Sequence, residues 1–181
     1  MADFGYSIIK AFDHVWGRFL DRLDGLTDGE YFWEPVPGSW SVRRADDGRS
    51  IMDGTRGGWR APEPAPVTTI AWRIGHIGQG LTFFAGRLFP DGPAAPDDVG
   101  FAASAVAVSA FLRASYQPWR EGIGAVDAPR WWQPLGPASG PYAQDSPADL
   151  ALHVLDELTH HAAEVSLLRD LYLRKDQLGG Q

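Results

Sequence analysis

The 181-residue chain contains no cysteine. Disulfides, iron–sulfur clusters, thiolate-ligated zinc and a cysteine nucleophile are therefore excluded. Any thiol chemistry would need a thiol brought from outside. Positive charge is scarce: 16 Lys and Arg against 23 Asp and Glu leave a formal charge of −7. That balance argues against a surface for nucleic-acid phosphates. The longest near-apolar run, Phe101 to Leu112, falls well short of the ~20 residues that span a bilayer. The N-terminus also lacks the basic-then-apolar order of a signal peptide. These absences predict a cytoplasmic protein with neither a membrane nor a nucleic-acid partner. Internal repeats, a glycine-rich phosphate loop, a Gly-x-Ser-x-Gly elbow and a strong strand pattern are missing too.

What is present is apolar and aromatic: 44% hydrophobic residues, 12% aromatics and eight tryptophans. A chain of this length and composition can bury a sizeable core as one domain, 1–181. Four stretches have helical periodicity. The first, about 6–26, repeats Ile8, Phe12, Val15, Phe19 and Leu23 at three- and four-residue steps. Thr27 to Glu30 then reads as a capping box opening a short turn. The second helix starts after an N-cap at Thr68 or Thr69 and runs to about 89. The third covers about 102–123, with Val106, Phe111, Leu112, Tyr116 and Trp119 on its apolar side and a late kink expected at Pro118. The fourth, to about 174, has the cleanest start: Ser146 as N-cap, Pro147 in the first helical position and Asp149 closing a capping box.

The 21 glycines and 14 prolines exceed the usual ~12% share and fall largely in two long loops, about 35–66 and 128–145. The first holds Trp40, Trp59, Arg43, Arg44, Arg49, Arg56 and Arg60; the second holds Trp131, Trp132 and Tyr142. Structureless connections this long are often functional. The four loop tryptophans suit an apolar lid, although covering a core is the commoner role. The fold expected is all-α: a four-helix bundle with long crossover loops.

Five histidines are present: His14, His76, His153, His160 and His161. Three lie on the fourth helix, where residues four apart share a face. His153 with Glu157, Glu157 with His161, and Asp156 with His160 are such pairs. The apolar residues Leu155, Leu158, Ala162 and Val165 set the inward side, and the ~100° step brings Glu157 and His161 to its flank. His153 and His160 fall further round, toward solvent. His76 is the natural third partner, mid-way along the second helix on a face shared with Trp72, Gly80 and Phe83. Gly75, Gly78 and Gly80 in that helix cost roughly 1 kcal/mol each relative to alanine, so close packing or ligand access must compensate. Two His and one Glu form a three-ligand set with open positions, the arrangement of a catalytic rather than a structural metal site.

The segment Thr68 to His76 resembles the second-helix segment of the DinB-like (DinB/YfiT-like) superfamily. His153 to His161 resembles its last-helix motif of a ligand, three residues, then His. The resemblance implies a four-helix bundle with a long crossover and a divalent metal held by His76, Glu157 and His161. Glu157 departs from the three-His form, and mycothiol-dependent maleylpyruvate isomerases of the same superfamily have a similar His/Glu/His set. It further implies zinc or nickel, a low-molecular-weight thiol such as mycothiol, a small-molecule electrophile as substrate, and a homodimer. His160 or Glu164 would orient a ligand or move a proton. Arg43, Arg44 and Trp72 would contact the thiol cofactor. The activity implied is thiol S-transfer or thiol-dependent isomerisation. The alternatives are a hydrolase using metal-bound water and a non-catalytic stress-response or ligand-binding bundle.

Overall fold

The computed structural model describes residues 3–54, 62–89 and 100–178. Helix α1, Phe4–Arg22, begins where Asp3 accepts a hydrogen bond from the Gly5 N–H. A single turn, α2, Asp28–Tyr31, is capped by Thr27, whose hydroxyl accepts from the Glu30 N–H. The capping box expected there is only half made. The Glu30 carboxylate turns instead to Arg169, near the far end of the chain.

Helix α3, Ile70–Leu88, is capped by Thr69. Helix α4, Val108–Gly124, starts later than the sequence predicts because residues Ala105–Ala107 form a separate 3-10 turn. Val106 is correspondingly 92% exposed and not part of the apolar face. Helix α4 continues through Pro118. The carbonyl that loses its partner there belongs to Ala114, which is exposed and can be solvated. Helix α5, Pro147–Tyr172, has the reciprocal cap expected: the Asp149 N–H donates to Ser146 Oγ, and the Ser146 N–H donates to Asp149 Oδ2.

The α3 helix packs against α4 and α5, and α1 packs against the same two. The four long helices thus share a core that includes Phe12, Ile74, Leu112, Trp119 and Val165. The chain is mostly helical, and no helix among the described residues is long and apolar enough to cross a membrane.

The first long loop contains an element the sequence did not announce. Strands β1, Val42–Arg44, and β2, Ser50–Met52, pair antiparallel, with Val42 opposite Met52. Three-residue strands are too short to display alternation, so only their pairing reveals them. Trp40 bridges Thr68 at the other end of the loop, donating its N–H to Val67 O and accepting from the Thr69 N–H. The crossover is thereby pinned at its base, next to the start of α3. Among the described residues, none of the loop tryptophans lines the cavity beside α3 and α5. Trp131 is buried against Phe4, Trp132 is exposed, and Trp40 packs on Trp72. Trp59, Arg56 and Arg60 lie outside the described residues.

Candidate metal centre

The site is built where α3 and α5 cross the core. Phe84 meets His153 edge-on, and eight residues earlier on α3 His76 meets His161, so the two helices run antiparallel. This alignment brings His76 to the pair Glu157–His161. His161 Nε2 lies 3.2 Å and His76 Nε2 3.5 Å from Glu157 Oε2. One ligand atom from each residue falls within 4.8 Å of the others, a grouping able to hold a metal ion. His161 is nearly buried, while Glu157 is partly open to solvent.

The proton on His161 can be assigned from geometry. Its Nδ1 is 2.6 Å from Glu164 Oε2, a separation that requires Nδ1–H donating to the carboxylate. Arg73 Nη1 also lies 3.3 Å from that nitrogen. Two donors cannot bond each other, so the shorter contact to Glu164 decides. In the neutral ring the Nε2 lone pair then faces the Glu157 oxygen. Two acceptors 3.2 Å apart need a cation or a second proton between them. Two imidazole nitrogens and one carboxylate oxygen suit zinc or another first-row divalent ion. The residues present therefore fit a divalent metal.

Burial pushes the His76 pKa down from 6.5 to about 4, and the neighbouring His161 adds to the fall. His76 is thus neutral at pH 7, as a metal ligand must be, and its contact with Glu157 is not an ion pair. Burial raises the Glu157 carboxyl, but His161 and His76 outweigh it and hold the group below its ordinary value. Trp72 stacks on His76, with ring centroids 5.1 Å apart and an interplanar angle of 10°. The Trp72 Nε1–H donates to Asp53 O, so the hairpin loop fixes the ring that fixes the histidine.

The depressed His76 pKa has a consequence for stability. Between about pH 6.5 and 4 the unfolded chain binds a proton at this position that the folded one refuses, so stability falls as the pH drops through that window. Chemical unfolding of metal-stripped protein at pH 7, 5.5 and 4.5 should give a falling midpoint. His76→Gln should make the fall shallower; an unchanged slope would contradict the assignment.

Glu164 and His160 sit on the other edge of the His161 ring. Glu164 accepts the hydrogen bond from His161 Nδ1–H, pairs with Arg73 Nε at 3.0 Å, and lies 3.3 Å from the exposed His160. Arg73, to which sequence reasoning gave no role, is the cation of this network. Its signal was present: it is one of two charged residues in α3, and a cation in a buried helix needs a carboxylate partner. Arg43 is engaged by Glu34, Asp53 and Ser39 O, where it ties the hairpin together. Arg44 is exposed on β1, and His14 is exposed on α1.

A cavity of about 620 Å³ opens beside the cluster. His76, Glu157 and His161 form one end, Ile77, Leu81, Val154 and Leu158 are among its walls, and Phe84, Tyr142 and His153 form the other end. His153, placed toward solvent by the helical step, is exposed yet borders this cavity. Tyr142 is the contribution of the second long loop. Neither Arg43 nor Arg44 lines it. A family model described as the DinB superfamily matches residues 54–165, more than half of the chain and all three residues of the cluster. No curated protein and no solved structure matches the chain.

Proposed function

The chain belongs to the DinB superfamily, and from that premise we propose that His76, Glu157 and His161 hold a divalent metal that serves the reaction of an external low-molecular-weight thiol with a small electrophile, by S-transfer or thiol-dependent isomerisation. The observation that carries the reading is a three-donor cluster at one end of an apolar cavity, in a chain that has no sulfur nucleophile of its own. Three protein ligands leave room for an exogenous one. When bound, such an ion favours the thiolate over the thiol at neutral pH.

The other contributions belong to the chain itself. Arg73 holds the Glu164 carboxylate in place. Glu164 holds the His161 proton on Nδ1 and thereby aims Nε2 at the site. His160 backs Glu164 from the solvent side. Trp72 fixes the His76 ring plane. The apolar walls exclude water that would compete with sulfur for the electrophile.

Purified protein should retain close to one zinc or nickel per chain. Loaded with either metal, it should accelerate thioether formation between mycothiol and a chlorinated aromatic, with one chloride and one proton released per thioether formed. Product formation without thiol would point to a hydrolase. Failure to retain a divalent metal, together with no thermal shift on adding zinc or nickel, would overturn both enzymatic readings.

A further inference from the structure

Helix α3 carries three glycines in six residues, Gly75, Gly78 and Gly80, although glycine destabilises a helix relative to alanine. Packing explains two of them. A Cβ on Gly78 would meet the Phe111 ring at 2.3 Å, and one on Gly75 would meet Met52 Sδ at 3.0 Å and Phe101 at 3.1 Å. Gly80 has no such reason. A Cβ there would meet nothing within 4 Å among the described residues, and the residue lines the cavity. Its missing side chain leaves space that no described residue fills.

Two further features describe what fits that space. The end of the cavity beyond Gly80 is aromatic: the Phe84 ring meets Phe83, Tyr142 and His153 edge-on at centroid distances of 5.1 to 5.7 Å. Ring edges of this kind complement the face of another aromatic. Gln79, also in the lining, is 8% exposed, and its buried amide oxygen meets no hydrogen-bond donor among the described residues. A buried acceptor without a donor is costly, and a ligand O–H or N–H would supply one.

We propose that the cavity is a slot for a planar aromatic molecule bearing a hydrogen-bond donor, with Gly80 providing the clearance for the ring and Gln79 accepting from the donor. The slot runs along the α3–α5 seam. His153 and His161 are eight residues apart on α5, roughly 12 Å by helical rise, so a one- or two-ring molecule seated at the aromatic end extends toward the His76–Glu157–His161 cluster. This inference deepens the proposed function and rests on it for the chemistry, since it names the electrophile's class; occupancy of the slot itself does not require the metal.

Isothermal titration with 1-naphthol and naphthalene, on both metal-stripped and zinc-loaded protein, tests the slot. Wild type should bind 1-naphthol about fivefold more tightly than naphthalene, the yield of one added hydrogen bond. Gly80→Leu should weaken both ligands by more than about tenfold by filling the clearance, and Gly80→Ala should weaken them less. Both variants should keep or raise the melting temperature, because either side chain favours the helix. Gln79→Leu should erase the preference for 1-naphthol while leaving naphthalene affinity within about twofold. Unchanged affinity in Gly80→Leu, absence of binding by wild type, or a preference that survives in Gln79→Leu would overturn the proposal. Naphthol binding without zinc retention would support the slot and overturn the metal reading; zinc retention without naphthol binding would do the reverse.

Discussion

His161→Ala is expected to abolish zinc retention, lowering affinity by more than about a hundredfold, while His153→Ala leaves it unchanged. His161 Nε2 is one of three donor atoms in the cluster, and the ring is nearly buried, so a solvent molecule would be a poor substitute. Removing the carboxylate behind a ligand already costs roughly 10–100-fold in affinity, and removing the ligand itself should cost more. Glu164→Gln separates these two effects. It loses the anion that fixes the Nδ1–H tautomer but keeps all three donor atoms, so its affinity should fall within the 10–100-fold range. His160→Ala touches only an exposed neighbour of Glu164 and should retain zinc to within a few-fold. Competition titration against a chromogenic chelator reads all four variants. Equal retention in His161→Ala and His153→Ala would mean that the cluster is not the metal site.

Arg169→Met should be the most destabilising single change at a distance from the site, by about 3–5 kcal/mol. Arg169 forms a two-pronged contact with Glu30, Nε to Oε1 at 2.6 Å and Nη2 to Oε2 at 3.2 Å, and Glu30 is only 4% exposed. The same guanidinium donates to Arg22 O and Asp24 O, capping the end of α1. Methionine preserves much of the packing volume but leaves a buried carboxylate and two carbonyls without their cation. For a chain of this size the melting temperature should fall by roughly 10 °C. Adding Glu30→Gln should recover part of the loss by removing the uncompensated charge. A shift below about 1 kcal/mol in Arg169→Met would show that the pair contributes little.

Much of the candidate site was legible because its signals are local. The Ser146–Pro147–Asp149 cap concerns residues within one turn, and the structure forms it as read. Glu157 and His161 share a face because four residues bring a helix almost full circle, so the apolar neighbours on α5 sufficed to select them. Arg73, the Gln79 amide and Tyr142 went unread because each matters only through a residue far away in sequence: Glu164, the cavity, and Phe84. The hairpin at Val42–Met52 was hidden for the same reason, since three-residue strands acquire identity only from a partner.

The sequence by itself determined that this protein is helical, that it has no thiol to offer, and that two imidazoles and a carboxylate are spaced to meet on helical faces. Those are properties of periodicity and composition, which every folded form of the chain must respect. The tertiary structure alone decided that α3 lies antiparallel to α5, and therefore that His76 meets Glu157 and His161. It also decided which of three helical glycines serve packing and which leaves room beside the cluster. No spacing within one helix can encode its alignment with another; that alignment comes from the complementary burial of side chains contributed by both.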